Sequence, residues 1–279
     1  MKIGPFEVSV LVEGSMYIDG GSVFGTLPRK IWEKQMLPDT QNRVRLGLRQ
    51  LLVQSPGMNM LIDTGVGEKL PERIKKMYGI ELESTWEQRL APHELTPDQI
   101  THIIFTHLHL DHSGGATQTS TDGTEVFPTF PNARHFIQEI EWRDACSPNE
   151  HTRRSYLFEN FLPLQNEGKL QLLSADHEIV DGIHVFVTGG HTHAHQMVII
   201  GEGDNQLFVP GDLCPTFHHI SVNWQNPFDL YPVESLQARK NFLSRALNTH
   251  YPVFFNHDPD GEFRHLIGTI ADPVSIPYS

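Results

Sequence analysis

Cys146 and Cys214 are the whole cysteine complement of 279 residues. That excludes a disulfide framework and the small cross-linked domains that depend on one. Positive charge is also short: 21 Lys and Arg stand against 34 Asp and Glu, for a net charge of -13. Neither a nucleic-acid backbone nor an anionic membrane is therefore expected as a partner. No apolar run approaches the roughly 18 residues needed to span a bilayer. The N-terminal stretch MKIGPFEVSV has no basic start leading into an apolar core, so no secretory leader is expected and the expected location is the cytoplasm. Low-complexity tracts and short-period repeats are missing too. What remains is a 38% hydrophobic chain with a mean hydropathy of -0.32, long enough for one large globular domain or two small ones.

Histidine is plentiful, at 17 residues, and its placement carries the reading. In THIIFTHLHLDHSGG, residues 101–115, four ligand-type side chains fall close together: His107, His109, Asp111 and His112. The run Ile103-Ile104-Phe105 predicts a buried strand, and Gly114-Gly115 lets a helix start close behind the turn. Side chains two apart in an extended turn point the same way, so His107 and His109 can grip one ion. Asp111 and His112 are offset and reach toward a second. Burying this set without a cation would leave polar groups and a charge uncompensated. Imidazole with carboxylate suits zinc, iron or manganese.

Patterning elsewhere predicts alternating strands and helices, which favours one α/β domain over residues 1–279. Strands are expected at 6–13, 46–53, 58–62, 133–138, 170–174, 183–188, 197–201, 206–209 and 253–255. Helices are expected at 66–78, 84–92, 139–146, 152–162 and 234–250, with a tail after 255. Residues 14–42 are Gly/Pro-rich and weakly periodic, and read as a long loop that either walls an active site or forms a homodimer contact.

Three later positions share the strand-then-turn context: His191 after IHVFVTGG, Asp212 after QLFVPG and His257 after PVFFN. Ligands carried on loops at strand ends are how α/β proteins assemble sites. Five histidines and two aspartates are enough for two ions sharing a carboxylate. The order Asp63-Thr64-Gly65, then HxHxDH at 107–112, Gly190-His191-Thr192, Gly211-Asp212 and a late His257 resembles the metallo-β-lactamase superfamily over about residues 45 to 258. The resemblance implies a four-layer αβ/βα sandwich of two mixed sheets with outer helices. It implies that His107, His109 and His191 hold a first divalent ion, and that Asp111, His112 and His257 hold a second. Asp212 would bridge both, with zinc favoured over iron or manganese. Asp63 and His195 would stand behind the ligands and orient them.

Departures from the family pattern narrow the reading. Asp212 is not Cys, unlike the best-known β-lactamases, and His109 is not Glu, unlike the flavodiiron reductases. The family's TPGHTxGH reads TGGHTHAH at 188–195, where His193 is extra and is expected at the surface or on the pocket lining. Lactonases of this fold place Tyr three residues after the bridging Asp, where this chain has Pro215. His219 is the candidate to donate the hydrogen bond that the Tyr would supply. Asp111 is the second catalytic candidate, orienting the hydroxide and moving its proton. The aromatic stretch 213–232 is expected to wall a substrate pocket through Phe217, His218 and Trp224. The expected activity is hydrolysis of a small molecule, a lactone or carboxylic ester first, by hydroxide generated at two metal ions. Phosphoester or thioester hydrolysis, and then an iron-dependent thiol oxygenase, are the alternatives.

Overall fold

Two long strands, Phe6–Asp19 and Arg43–Ser55, form the spine of the protein. The computed structural model describes residues 1–261 and 263–278. In it these strands run antiparallel from Glu7 opposite Gln54 to Asp19 opposite Arg43. Met58–Ile62 folds back beside them, and His102–Ile104, Arg134–Gln138 and Leu170–Leu173 then add in parallel. Parallel strands are covered on both faces, which is why Ile103, Ile104, Phe136 and Ile137 belong to near-continuous apolar runs. Among the described residues a second sheet takes the order His177–Val180, Ile183–Val187, Gln196–Glu202, Asn205–Val209, Val253–Phe254, Phe263–Thr269 and Asp272–Pro277.

The sheets pack face to face. Val8, Leu51, Val53, Met60, Ile62 and Ile104 from the first meet Val185, Val198, Ile200, Leu207 and Val209 from the second. The outer face of the first sheet, with Leu61, Ile103 and Ile137, lies under Trp86, Leu90, Trp142 and Leu164. The outer face of the second, with Ile199, Phe208 and Val253, lies under Phe242, Leu243 and Ala246 of the helix Pro232–Thr249. These are the expected αβ/βα layers. Each fully buried aliphatic or Phe side chain in them contributes on the order of 1.5–3 kcal/mol. No helix of the described residues is long and apolar enough to cross a membrane.

Several expected boundaries are corrected. Residues 14–19 are not loop but the second half of Phe6–Asp19, and only the following residues fold into the short helices Gly20–Phe24 and Arg29–Trp32. A register shift between Val12 and Gly14 breaks the alternation there, and Glu13 turns inward at that point. The helix expected at 152–162 is replaced by turns, a short 3-10 turn at Phe158–Asn160 and a helix at Leu162–Asn166. The expected C-terminal tail is instead the hairpin of Phe263–Thr269 with Asp272–Pro277.

Candidate metal centre and substrate pocket

Neighbouring parallel strands end at the same edge, so the turns after Met58–Ile62 and His102–Ile104 meet. Asp63 adopts a left-handed backbone (φ 58) at its strand end. From there Oδ1 accepts the Thr106 N–H at 2.8 Å, while Oδ2 accepts the Thr106 hydroxyl at 2.9 Å and His112 Nδ1–H at 2.8 Å. One carboxylate thus ties down the start of the histidine turn and orients one of its imidazoles. The short helix Leu110–Ser113 then presents Asp111 and His112. It packs so closely on the preceding turn that a Cβ on Gly114 would collide with the Val66 carbonyl.

The other three loops converge on the same point. His191 Nδ1 meets Asp229 Oδ1 at 3.1 Å, and His257 Nδ1 meets the Gly47 carbonyl at 2.8 Å. The Asp212 N–H donates to His195 Nε2 at 3.1 Å, and His195 Nδ1 in turn meets the Thr188 hydroxyl at 2.6 Å. Asp63 thus bonds the ring of His112, and His195 bonds the backbone of Asp212. His193 lies at the surface beside Asp144.

Proton positions follow from these partners. A carbonyl or carboxylate oxygen can only accept, so Nδ1 carries a proton in His112, His191 and His257, and Nε2 is the nitrogen each turns inward. His112 Nε2 and His257 Nε2 are 3.3 Å apart, and His191 Nε2 lies 3.1 Å from His109 Nδ1. His107 Nε2 is buried with no hydrogen-bond partner. Asp212 reaches both clusters: Oδ2 is 3.4 Å from His191 Nε2, and Oδ1 is 3.3 Å and 3.4 Å from His112 Nε2 and His257 Nε2. Asp111 Oδ2 is 3.6 Å from His257 Nε2. Within His107, His109 and His191, and again within Asp111, His112 and His257, the ligand-type atoms lie within 4.8 Å of one another. Ligand-type atoms converging from several loops, with the buried His107 Nε2 left without a partner, fit divalent cations in both places.

The electrostatics of the histidines depend on how closely each faces a carboxylate. Burial opposes the charge on His191, yet Asp212 and Asp229, which it faces, raise its pKa. Burial, reinforced by neighbouring imidazoles, pushes His107 and His109 well below the usual histidine range. Burial opposes the charge on His112 as well, but Asp212, Asp63 and Asp111 outweigh it and raise His112 well above that range. Burial likewise disfavours the Asp212 carboxylate, yet His112, His257 and His191 hold it well below its ordinary value.

A cleft of about 740 Å³, open mouth included, leads down to His109, Asp111, His191, Asp212 and His257. Its walls come from Met16, Ile18, Val23, Leu46, Tyr78, Ile80, Leu110, Ser155, Pro215, His219, Asn226 and Phe228. Residues 14–42 and 213–232 thus both contribute, but not as expected. Phe217, His218 and Trp224 do not line the cleft. His218 stacks between Phe217 and Trp224, Arg264 lies over the Phe217 ring, and Trp224 packs edge-on against Phe24. Together they form a layer behind the wall. His219 is on the wall, but both ring nitrogens are taken, by the Thr216 hydroxyl at 2.8 Å and the Val23 carbonyl at 3.1 Å. Burial pushes its pKa down to about 3, so it is neutral and has no N–H to offer a substrate. The donor role expected of it is not supported.

Three supporting acids escaped the sequence reading. Asp229 orients His191. Glu13 accepts the N–H groups of Val66 and Gly67, both at 2.9 Å. Glu141 accepts from Leu108 N–H at 3.0 Å, Tyr156 OH at 3.0 Å and Thr192 OH at 2.6 Å. The signal for Glu141 was present: it shares a helix face with Ala145, a core position.

A family model described as the metallo-beta-lactamase superfamily matches residues 50–122. An N-acyl homoserine lactonase of a Bacillus species is 29% identical over 169 residues, 60% of this chain. The chain spans about 59% of the length of that relative. A second N-acyl homoserine lactonase, from Rhizobium radiobacter, is 22% identical and matches 85% of this chain and 91% of its own. Among solved structures, a protein described as a probable metal-dependent hydrolase from Staphylococcus aureus superposes with a TM-score of 0.91 at 29% identity, covering 100% of this chain and 99% of its own. A dizinc quorum-quenching lactonase matches the fold with a TM-score of 0.81 at 20% identity, covering 100% and 96%.

Proposed function

We propose that the chain is a metal-dependent hydrolase of the metallo-β-lactamase superfamily that opens a lactone or cleaves a related carboxylic ester, a reading supported by the family-model match over residues 50–122 and by the whole-chain likeness to a probable metal-dependent hydrolase. The observation that carries this reading is the cleft. Five of the seven ligand-type residues form its floor, its walls are largely apolar, and no Lys or Arg of the described residues lines it. Such a lining suits a neutral, acyl-bearing small molecule. A phosphoester carries charge that would call for cationic partners in the wall. The similarity to N-acyl homoserine lactonases makes that substrate class the first to try.

In this reading His107, His109 and His191 would hold one divalent cation and Asp111, His112 and His257 the other, with Asp212 available to both. Zinc is favoured by the nitrogen-rich donor set. Bound there, the ions supply Lewis acidity and lower the pKa of water to roughly 7, so no Ser or Cys nucleophile is needed. The remaining work falls to the chain. Asp111 is only partly buried, lines the cleft, and is placed to take a proton on its carboxylate and pass it to the leaving alkoxide. Tyr78 and Ser155 line the cleft and are the hydroxyl-bearing candidates to contact substrate, a role for which His219 has no free N–H. Met16, Ile18, Val23 and Phe228 hold the acyl portion and exclude water.

The test is acid release, followed by pH-stat, from N-hexanoyl homoserine lactone, an aryl ester, a thioester and a phosphodiester. The proposal expects turnover of the lactone or ester, abolished by His107→Ala and by chelation. Turnover of the phosphodiester alone, or hydrolysis that survives chelation, contradicts it.

A further inference from the structure

A fully buried guanidinium links the cleft to the histidine cluster. Arg239, on the helix Pro232–Thr249, has no measurable exposure. Its Nη1 donates to the carbonyl of Trp224 at 2.6 Å and to that of His219 at 3.3 Å. Its Nη2 lies 3.6 Å from Asp229 Oδ2, and the other Asp229 oxygen is the partner of His191 Nδ1. The backbone reinforces the contact: Leu230 N–H donates to the His191 carbonyl at 3.1 Å and Tyr231 N–H to that of Gly190 at 2.9 Å. Between the two carbonyls and the carboxylate lie Asn226 and Phe228, both on the cleft wall.

We propose that Arg239 is a positioning residue that couples the shape of the substrate cleft to the setting of His191. One planar guanidinium fixes the wall loop at His219 and Trp224 and, through Asp229, the tautomer and direction of a metal-ligand histidine. Two carbonyl acceptors on one side and a carboxylate at ion-pair distance on the other suit the planar guanidinium fork and not a single ammonium. Burying such a charge is costly and needs a charged partner, and Asp229 provides it. The two side chains therefore share one geometry: the guanidinium sits against one oxygen of the carboxylate while the other oxygen faces His191. The inference rests on the proposed metal role of His191, and its test reads metal retention and substrate affinity separately.

The experiment compares Asp229→Asn, Arg239→Lys, Arg239→Met and the double variant Asp229→Asn/Arg239→Met. Metal per chain is measured after dialysis against a chelator, together with Tm and with KM and kcat on N-hexanoyl homoserine lactone. Asp229→Asn is expected to lose retained metal, with KM rising less than in Arg239→Met because Nη1 still has both wall carbonyls to bond. Arg239→Lys is expected to keep its metal while KM rises about tenfold, since an ammonium preserves the charge but not the fork. Arg239→Met is expected to lose on both counts and to have a lower Tm than the double variant, in which no buried charge is left unpaired. Wild-type KM and kcat in Arg239→Lys overturn the proposal, as does full metal retention in a folded Arg239→Met. A wild-type enzyme inert on the lactone overturns the proposed reaction alone, because metal retention still decides whether Arg239 acts through His191.

Discussion

Gly47 and His257 clasp each other twice. The Gly47 N–H donates to the His257 carbonyl at 3.0 Å, and His257 Nδ1–H donates to the Gly47 carbonyl at 2.8 Å. This pairing carries the last ligand-type histidine from the second sheet across to a strand of the first. Arg49 closes over it, donating to the carbonyls of Asp258 and Pro259. A Cβ on Gly47 would collide with that guanidinium and lie 2.6 Å from the Asp258 carbonyl oxygen.

Gly47→Ala is therefore expected to push the 257–260 loop away from the first sheet and displace His257. Stability should fall by about 1–3 kcal/mol, the usual cost of forced overpacking, and one of the two ions should be lost preferentially. Elemental analysis beside a urea titration checks this. Full metal content at unchanged stability would show that the clasp tolerates the methyl group.

His219 separates the earlier expectation from the structure. Its N–H is committed to the Val23 carbonyl, which links the 213–232 loop to the helix Gly20–Phe24. His219→Phe should cost about 1–3 kcal/mol by leaving that buried carbonyl unpartnered, with kcat lowered much less than by Asp111→Asn. A selective collapse of kcat at wild-type stability would restore the donor role to His219.

The clustering of ligand-type side chains is legible in the sequence because four of them are close together in HxHxDH and each later one follows an apolar strand. The layered fold was legible for the same reason, since strand ends and ligands coincide. Phe6–Asp19 was cut short in the reading because the shift beside Glu13 breaks a period-two pattern. The C-terminal hairpin was missed because Thr269-Ile270-Ala271-Asp272 lacks the Asn-Gly or Gly-rich chemistry that marks a tight turn. Asp229, Arg239 and the burial of His219 were illegible for a different reason. Each depends on which distant carbonyl or imidazole it meets, and no local spacing records that.

Glu141 joins the two loops that supply most of the first ligand group, through Leu108 and Thr192. Glu141→Gln turns an acceptor into a donor against at least one of its three donors. It should destabilise by about 2 kcal/mol and weaken metal retention, whereas Tyr156→Phe should cost only about 1 kcal/mol. Chemical denaturation of both variants decides the ranking. Equal losses would remove Glu141 from its role as the tie between loops.

His135 should make the fold acid-sensitive independently of any metal. It lies in the strand Arg134–Gln138, fully buried, with neither ring nitrogen hydrogen-bonded. Burial pushes its pKa down to about 3. The unfolded chain takes up this proton below about pH 6.5 and the folded chain does not until about pH 3, so stability falls as pH drops through that window. His135→Leu should remove this component, improving stability relative to wild type by about 2 kcal/mol at pH 5 and much less at pH 7.5. Urea midpoints at the two pH values test it, and a gap between variant and wild type that stays constant with pH contradicts it.

Asp212 carries the central claim, since its two oxygens face the two histidine clusters separately. The most direct measurement is the metal-to-protein ratio of the purified chain and of Asp212→Ala, determined by elemental mass spectrometry after removal of free metal. The account predicts two divalent ions per wild-type chain and fewer than one in the variant, with hydrolysis lost in parallel. A single ion in the wild type, or two ions and full activity in Asp212→Ala, would contradict it.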